Sequence, residues 1–365
     1  MSADTKNSSF AIEFHQSPVP DADRQAILET PGFGKVFTDH MVLVRWKPEE
    51  GWHDAKVVPR GPLSIDPASA VLHYAQEIFE GMKAYKAADG RIMLFRPQEN
   101  AKRFAQSATR MAMPPVPEEL FIKAVEELVK VDRNWIPSGE ASLYIRPFMF
   151  ANEAFLGVRP ALEYIFCVIA SPAGSYFKGG SKAVSVWVET GYTRAGPGGT
   201  GAAKCGGNYA GSLVAQAEAS RNGCDQVVFL DAAEHKWVEE LGGMNVFFVM
   251  DDGSIVTPPL SGTILPGITR SSILTLARDL GHTVSERLYS FEEWKADAAS
   301  GKLKEAFACG TAAVVAGIGT VRHADGEFLI GGGETGPLTQ KLRQELVGIQ
   351  LGASNNDRGW IHRIA

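Results

Sequence analysis

The residue with the clearest chemical potential is Lys204, which lies in a stretch rich in glycine. Residues 196–207 contain six glycines and this single lysine. Small neighbours let a flat cofactor approach the amine, and partial desolvation lowers the pKa of a lysine enough to make it nucleophilic. The alternative is a solvated lysine in a flexible surface loop. On this segment alone, that alternative is favoured.

A lysine that forms a Schiff base with pyridoxal phosphate needs several partners, and the sequence offers a candidate for each. Glu239 and Glu240 lie at the end of a predicted strand, where a carboxylate could face the pyridine nitrogen. Tyr209 lies five residues after Lys204, near the start of the predicted helix, and its phenol could reach the 3-oxygen of the ring. Exposed strand-end charges and a tyrosine packed at a helix start are the structural alternatives.

Two further segments could hold anionic groups. Residues 265–270, LPGITR, open a predicted helix whose unpaired N–H groups and dipole would favour a phosphate. Residues 310–312, GTA, form a small turn between apolar runs and offer a hydroxyl and backbone N–H groups. An ordinary proline-initiated helix and a plain hairpin turn explain the same residues, so neither segment is specific alone.

The glycine-rich stretch also matches, formally, the dinucleotide-binding pattern GxGxxG over residues 196–201. That pattern must follow a strand directly and open a helix. Here the helix is predicted from Asn208, and Pro197 fills the first variable position. A phosphate-binding P-loop is excluded because Ala203 precedes Lys204 and Cys205 follows it. Nucleotide binding therefore stays a minor alternative, which measurable NAD binding would support.

The elements that must position these groups mix strands and helices without strict alternation. Apolar and β-branched runs predict strands at 40–46, 91–95, 142–150, 162–170, 183–189, 226–230, 236–239 and 245–250, with others near 306 and 312. Helical spacing and end signals predict helices at 67–79, 97–111, 117–131, 208–221, 268–280, 291–300 and 338–349. This order predicts a mixed α/β (α+β) chain of two domains rather than a (β/α)₈ barrel.

A segment rich in proline, glycine and serine marks the predicted domain boundary. We expect an N-terminal α/β domain over 1–170, a linker over 171–182 and a C-terminal domain over 183–365.

Composition excludes several classes of function. The chain has 365 residues and a net charge of −6, so it has no basic surplus for nucleic acid. The apolar run 244–250 is too short to span a membrane, and the N-terminus lacks the apolar core of a signal peptide. Four scattered cysteines and eight scattered histidines give no disulfide or metal pattern, so we expect no metal site and a cytoplasmic location.

Seven motifs occur together in a fixed order: FEGMKAY at 79–85, LFRP at 94–97, YIRP at 144–147, KCGGNY at 204–209, ELGGMN at 240–245, LPGITR at 265–270 and GTA at 310–312. This set resembles the bacterial branched-chain amino acid aminotransferases of the fold-type IV (class IV) pyridoxal-phosphate enzymes. The resemblance spans 72–312, most of the chain. It implies the D-amino acid aminotransferase-like fold, with a smaller N-terminal α/β domain and a larger C-terminal domain that has a β-barrel-like core and binds pyridoxal 5′-phosphate.

The resemblance assigns cofactor roles to individual residues. Lys204 would bind the cofactor covalently and move the proton between Cα and the cofactor. Glu240 would pair with the pyridine nitrogen, and Tyr209 with the ring 3-oxygen. The phosphate would be held by Arg103, by the backbone N–H groups of Ile268 and Thr269, and by Thr311.

The resemblance also implies the substrates, which are L-Leu, L-Ile, L-Val, L-Glu and their 2-oxo acids. Arg146 would hold the distal carboxylate of glutamate. The remaining substrate contacts would be Phe79, Tyr144 and Tyr176 along the side-chain pocket and Thr311 and Ala312 at the α-carboxylate. A homodimer is implied because Tyr74, Leu156 and Val158 would reach the pocket of the neighbouring subunit.

Rival functions within the same fold are D-amino acid aminotransferase and aminodeoxychorismate lyase, which differ in the pocket and share the cofactor. The set of Phe79, Tyr144 and Arg146 favours the enzyme for L-branched-chain substrates. A non-catalytic descendant of the family is a rival of another class. It predicts loss of Lys204 or one of its partner residues, and all of them are present.

Overall fold

The computed structural model describes residues 10–174, 183–354 and 358–364, which form two compact units. Among these residues, the first unit holds 10–174, 350–353 and 358–364, and the second holds 183–349 and 354.

The described residues form strands and helices in mixed order. The strands are β1 (Ala11–Ile12), β2 (His40–Lys47), β3 (Gly51–Pro59), β4 (Glu77–Phe79), β5 (Met82–Lys86), β6 (Ile92–Phe95), β7 (Ser142–Ala151), β8 (Tyr164–Ala173), β9 (Val184–Glu189), β10 (Gln226–Leu230), β11 (Val238–Leu241), β12 (Asn245–Met250), β13 (Ile255–Thr257), β14 (Val284–Glu286), β15 (Leu303–Gly310), β16 (Val314–His323), β17 (Gly326–Leu329) and β18 (Ile361–Ile364). The α-helices are α1 (Asp21–Glu29), α2 (Ala70–Tyr74), α3 (Pro97–Arg110), α4 (Glu118–Val131), α5 (Gly206–Ala210), α6 (Leu213–Arg221), α7 (Ile268–Asp279), α8 (Phe291–Ser300) and α9 (Pro337–Gln350).

The first unit is built on one sheet in the order β1-β3-β2-β8-β7-β5-β6-β18, with β4 paired to β7. Helix α4 packs on this sheet through one buried apolar face, whose residues recur every three or four positions: Phe121, Ala124, Val125, Leu128 and Val129. The ring of Phe121 from that face lies 5.3 Å from Phe104 of α3 and 5.8 Å from Phe166 of β8, measured between centroids. These rings join both helices to β8, which pairs along its whole length with β7.

The structure corrects the predicted helix at 67–79. Helix α2 covers only Ala70–Tyr74, because Ala75 adopts a left-handed conformation with φ of 48° and stops it. The chain then enters β4, where Phe79 pairs with Phe148 of β7. The periodic pattern was ambiguous because the apolar residues of a short strand continue the helical spacing of α2.

The structure differs from the predicted start of the linker and from the predicted assignment of the chain end. Residues 171–173, assigned to the linker, continue β8, because each of its ten residues has a partner in the equally long β7. The chain end, assigned to the C-terminal domain, returns to the first sheet, where β18 pairs with β6. Residues 175–182 of the predicted linker lie outside the described residues.

The second unit contains a closed barrel. Its strands follow the order β11-β10-β9-β16-β15-β12, and β11 also pairs with β12, which completes the ring. Buried residues from these strands, including Val186, Val228, Val246 and Ala308, form the apolar core. The predicted β-barrel-like core of the C-terminal domain is therefore confirmed, and β13, β14 and β17 extend the sheet beyond the ring.

The predicted helix at 208–221 is two helices in the structure. Helix α5 ends at Ala210, and α6 begins at Leu213. The hydroxyl of Ser212 donates to the carbonyl oxygen of Tyr209 at 2.7 Å, and the Ser212 N–H donates to the same oxygen at 3.0 Å. These bonds replace the helical bond that Tyr209 would otherwise accept, so the helix is interrupted after one turn.

Other features of the described residues bear on function class. None of their helices is both long and apolar enough to cross a bilayer. They contain no group of three or more histidine, cysteine or acidic side chains arranged to hold a metal ion. All four cysteines are free thiols with buried side chains.

Candidate active site

The amine of Lys204 faces the phenol of Tyr209 in the second unit. Lys204 Nζ lies 2.8 Å from Tyr209 Oη and 5.2 Å from the centroid of its ring. Lys204 lies two residues before α5, and Tyr209 lies within α5, so the two side chains emerge at the same place. The lysine is half-buried, as a nucleophilic amine requires.

The turn that carries Lys204 is held by Asn208. Its Nδ2 donates to the carbonyl oxygens of Thr200, at 2.8 Å, and of Ala203, at 2.9 Å. The hydroxyl of Thr200 donates back to Asn208 Oδ1 at 2.6 Å. Gly201 is required in this turn, because a Cβ there would lie 2.3 Å from the carbonyl oxygen of Thr263. The segment is a tightly bonded turn, not a flexible surface loop.

Glu240 is a buried carboxylate of β11 with several donors around it. Its Oε1 accepts the Leu265 N–H at 3.0 Å and forms an ion pair with Arg194 Nη1 at 2.9 Å, and its Oε2 accepts a hydrogen bond from Asn245 Nδ2 at 3.1 Å. Burial raises the pKa of Glu240 to about 7, and the charges of Arg194 and Lys204 oppose that rise. A carboxylate accepts about four hydrogen bonds, so Oε2 can accept one more donor.

Glu239 precedes Glu240 in the strand and therefore points to the opposite side of β11. Its Oε1 accepts the hydroxyl of Thr263, and its Oε2 is buried without a partner among the described residues. Burial raises the pKa of Glu239 as well. Of the two predicted candidates, Glu240 is the one whose pKa the charge of Lys204 lowers.

The predicted anion-binding segments lie close to the Glu240 strand. Helix α7 begins at Ile268 directly after Gly267, where a Cβ would lie 2.1 Å from Asn245 Oδ1. Asn245 therefore contacts both Glu240 and the start of α7, which presents the N–H groups of Ile268 and Thr269. The turn of Thr311 and Ala312 joins β15 to β16, and both residues are half-buried.

Arg103 forms a buried pair with Glu80 in the first unit. Its Nε lies 2.7 Å from Glu80 Oε1, and its Nη2 lies 2.9 Å from Glu80 Oε2. Asn100, one turn earlier in α3, donates to the same Oε2 at 2.7 Å. Such a two-point pair fixes the plane of the guanidinium. Neither Glu80 nor Asn100 was predicted from the sequence. Glu80 lies within the FEGMKAY motif, and Asn100 lies three residues after the LFRP motif.

Phe79, Tyr144 and Arg146, the three described residues predicted to line the substrate pocket with its arginine, lie together in the first unit. The guanidinium carbon of Arg146 lies 4.7 Å from the centroid of Phe79, and Arg146 Nη2 donates to Tyr144 Oη at 3.1 Å. Gly81 leaves room for this phenol, since a Cβ there would lie 2.1 Å from Tyr144 Oη. Arg146 Nε is buried and has no partner among the described residues, so this cation can bind an anion.

The residues predicted to reach the pocket of a neighbouring subunit lie on the surface of the first unit. Val158 is 87% exposed and Leu156 is 66% exposed. The Tyr74 hydroxyl donates to the carbonyl oxygen of Leu156 at 2.5 Å, and Val158 follows Leu156 by two residues, so these exposed residues form one apolar patch. Tyr176, the remaining predicted pocket residue, lies outside the described residues.

Comparison with known families decides the class of protein. The model of the amino-transferase class IV family matches residues 77–321, more than half of the chain. The chain belongs to this family. Among curated relatives of this aminotransferase, the branched-chain-amino-acid aminotransferase of Mycolicibacterium smegmatis is 54% identical, over 97% of this chain and 98% of its own. A probable branched-chain-amino-acid aminotransferase of Streptomyces coelicolor is 56% identical, over 95% of this chain and 96% of its own.

Solved structures give the same result for the fold of this aminotransferase. The branched-chain amino acid aminotransferase of Escherichia coli superposes with a TM-score of 0.74 at 29% identity, covering 88% of this chain and 99% of its own. The branched-chain amino acid aminotransferase of Thermobaculum terrenum, solved in its PLP-form, has a TM-score of 0.71 at 26% identity, covering 88% of this chain and 98% of its own. The predicted family, fold class and transaminase activity are therefore confirmed.

Two residues that support the site in the second unit of this aminotransferase were not predicted from its sequence. Arg194 binds Glu240, and Asn208 holds the turn of Lys204. Asn208 lies inside the quoted KCGGNY motif, so its amide next to a glycine-rich turn was an available signal. Arg194 precedes the glycine-rich stretch, and no local pattern distinguishes it from a surface arginine.

Proposed function

We propose that this aminotransferase uses pyridoxal 5′-phosphate to transfer the amino group between L-Leu, L-Ile or L-Val and 2-oxoglutarate. The observation that carries the proposal is the half-buried amine of Lys204, 2.8 Å from the phenol of Tyr209, with the buried carboxylate of Glu240 close enough to respond to its charge. Relatives with this activity are more than half identical over nearly the whole chain, which confirms the predicted branched-chain transaminase function.

The residues present fit this cofactor. Lys204 supplies the amine for covalent attachment, and Tyr209 supplies a donor for the ring oxygen. Glu240 Oε2 accepts one hydrogen bond, from Asn245 Nδ2, so it has room to accept a ring N–H as well. We assign the phosphate to the predicted set of Arg103, Thr311 and the N–H groups at the start of α7. When bound, pyridoxal phosphate supplies an electron sink for negative charge at the substrate Cα.

The chain's own residues would then divide the work of proton transfer. Lys204 Nζ takes the proton from the substrate Cα and returns one, acting as base and then as acid. Tyr209 fixes the direction of that amine through their hydrogen bond. Glu240, as a carboxylate, would keep a proton at the ring nitrogen, and the charges of Arg194 and Lys204 favour that ionised form against the effect of burial on its pKa.

Side chains of the first unit account for two kinds of substrate. The rings of Phe79 and Tyr144 offer apolar contact, where each buried methylene contributes about 0.8 kcal/mol. Arg146 lies against both rings and would pair with the second carboxylate of glutamate or 2-oxoglutarate. Leucine and glutamate can thus alternate as amino donors, which a ping-pong exchange requires.

A substrate panel tests the proposed function. Purified holoenzyme should be yellow and should convert L-Leu with 2-oxoglutarate, measured through the glutamate formed. D-Ala in place of L-Leu should give no more than background. Turnover of D-Ala alone would replace the proposal with a D-amino acid aminotransferase, and NAD binding without turnover would favour a nucleotide-binding role.

Replacing Arg146 with glutamine should separate the two kinds of substrate. A hydrogen bond to a charged group contributes about 1.5–3 kcal/mol, so KM for 2-oxoglutarate should rise roughly 10- to 100-fold. KM for L-Leu should change less than about 3-fold, because leucine has no distal charge. Steady-state kinetics with each substrate varied in turn measures both values. Arg45→Gln is the control, since Arg45 is an exposed arginine of the same sheet, beside Asp54. Equal rises for both substrates would refute this role of Arg146.

We also propose a homodimer in which the patch of Tyr74, Leu156 and Val158 is buried. Exposed apolar residues that cluster in this way mark interaction surfaces. Val158→Asp should weaken association by placing a charge in that interface, and sedimentation velocity should show a shift from dimer towards monomer. Leu329→Asp, at a separate residue that is 55% exposed, is the control. A wild-type chain that sediments as a monomer at micromolar concentration would contradict the proposal.

We assign the activity to the cytoplasm, as predicted from cysteine usage. Four free, buried thiols are typical of a reducing compartment. Fractionation of cells followed by the transamination assay would test the assignment, and activity confined to an oxidising compartment would contradict it.

A further inference from the structure

Arg194 is a buried cation that contacts three segments around Lys204. Its side chain is 2% exposed, and its Nη1 lies 2.9 Å from Glu240 Oε1, 2.9 Å from the Thr263 carbonyl oxygen and 3.3 Å from the Gly201 carbonyl oxygen. We propose that Arg194 is a positioning residue that keeps Glu240 as a carboxylate and ties it to the turn of Lys204. The inference rests on the proposed function, because it concerns how Glu240 serves the cofactor.

The geometry favours arginine over lysine at this position. A planar guanidinium presents several N–H donors in fixed directions, so one side chain can serve a carboxylate and two carbonyl groups together. One of these carbonyls belongs to Thr263, whose hydroxyl is in turn bonded to Glu239. The other belongs to Gly201, three residues before Lys204 and packed against Thr263. Arg194 thus links the lysine turn, the Glu240 strand and the loop that leads to α7.

Arg194 is one of several influences on the pKa of Glu240. Burial is the largest influence and favours the neutral acid, and the neighbouring Glu239 acts in the same direction. Arg194 is the strongest opposing charge, and Lys204 adds a smaller effect. Cys309, on β15, is itself a neutral thiol because burial raises its pKa. Removal of Arg194 should therefore raise the pKa of Glu240 and leave the group neutral at physiological pH.

A neutral Glu240 must lose its proton before it can accept a ring N–H that carries a positive charge. Cofactor affinity of the apoenzyme should then fall as the pH drops through the pKa of Glu240. Without Arg194, this fall should begin at a higher pH. Stability of the apoenzyme follows the opposite direction. A carboxyl group whose pKa is raised on folding contributes stability at low pH, and that contribution is lost as the pH rises through the folded-state value.

The experiment compares apoenzymes of the wild type, Arg194→Gln, Arg194→Lys and Arg287→Gln. Each is titrated with pyridoxal 5′-phosphate between pH 6 and 9, with affinity read from visible absorbance, and each is melted without cofactor over the same range. Arg287 pairs with Glu293 at 2.8 Å elsewhere in the second unit, so its variant controls for loss of an arginine–carboxylate pair.

We expect Arg194→Gln to move the midpoint of the affinity fall upward by about one pH unit or more. At pH 6, below the midpoints of both enzymes, affinity should then be about 10-fold lower than that of the wild type, the equivalent of that shift. The pH at which apoenzyme stability declines should move upward too. Arg194→Lys should restore most of the midpoint, because it keeps the charge. Arg287→Gln should match the wild type. In a Glu240→Gln background, Arg194→Gln should produce no further shift of the midpoint.

Two results would overturn the inference. One is an Arg194→Gln enzyme with wild-type pH dependence and merely lower stability, which would make Arg194 a packing residue. The other is an Arg194→Lys enzyme whose pH midpoint of cofactor affinity moves as far as that of Arg194→Gln. Should Arg194→Gln fail to fold, the pH midpoint of cofactor affinity is compared between the wild type, Arg194→Lys and the double variant Arg194→Gln/Glu240→Gln. Failure of the wild-type chain to bind the cofactor would instead refute the proposed function, and the pH dependence of apoenzyme melting would still test Arg194.

Discussion

Replacing Lys204 with arginine is expected to lower kcat for transamination of L-Leu by at least about 10³-fold, the scale of a lost acid–base group. Arginine keeps the positive charge but stays protonated at every accessible pH, so it can neither attach the cofactor nor accept the Cα proton. The hydrogen bond to Tyr209 also depends on the reach of a lysine amine. Single-turnover kinetics with L-Leu, followed by visible absorbance, would measure the loss at the chemical step.

Lys236→Arg is the matched control for that loss. Lys236 is an exposed lysine of the same unit whose amine lies 4.4 Å from the ring centroid of Trp237, so its replacement should leave kcat unchanged. Melting temperatures of both variants should stay close to that of the wild type, because neither removes buried apolar area. A Lys204→Arg enzyme that keeps more than a tenth of the wild-type kcat would contradict the assigned role.

Glu240→Gln is expected to lower kcat by roughly 10²- to 10³-fold, the usual effect of removing one electrostatic partner of a developing charge. The amide keeps the shape of the side chain but cannot hold a charged ring N–H. It also leaves Arg194 without its carboxylate inside the protein, a cost that should appear as a lower melting temperature. Presteady-state measurement of Cα deuterium transfer from labelled L-Leu would report the chemical step.

The adjacent carboxylate provides the comparison for this variant. Glu239 points to the other side of β11 and bonds to Thr263, so Glu239→Gln should lower kcat less than about 10-fold. A larger loss for Glu239→Gln than for Glu240→Gln would show that the other carboxylate serves the cofactor. Equal and small losses would show that neither carboxylate has the proposed role.

The sequence allowed the lysine turn and its nearest partners to be predicted because they lie within short motifs. Lys204 and Tyr209 are five residues apart, and local helix geometry brings them together. Glu240 follows from a strand end next to two glycines. In each case the chemistry depends on residue type and local conformation, which a linear pattern records.

The contacts that support these residues could not be predicted in the same way. Arg194 and Thr263 are 69 residues apart in sequence and meet only because the barrel closes. Glu80 and Arg103 are 23 residues apart and meet because α3 packs beside β4. Buried ion pairs of this kind have no periodic signature, and each member looks like an ordinary surface charge in the sequence.

The errors in the predicted elements have related physical causes. The spacing of apolar residues around Leu72 to Phe79 suits a helix, yet a left-handed Ala75 divides it into α2 and β4. Strand β18 was missed because its four residues gain their stability only from pairing with β6 at the other end of the chain. Tertiary pairing overrides local propensity most easily in such short elements.

The most direct test of the account is the site of covalent cofactor attachment. Holoenzyme reduced with borohydride, digested and mapped by mass spectrometry should carry the pyridoxyl group on Lys204, at close to one group per chain. Recovery of the group on any other lysine, or no adduct in a protein that still transaminates L-Leu, would contradict the account.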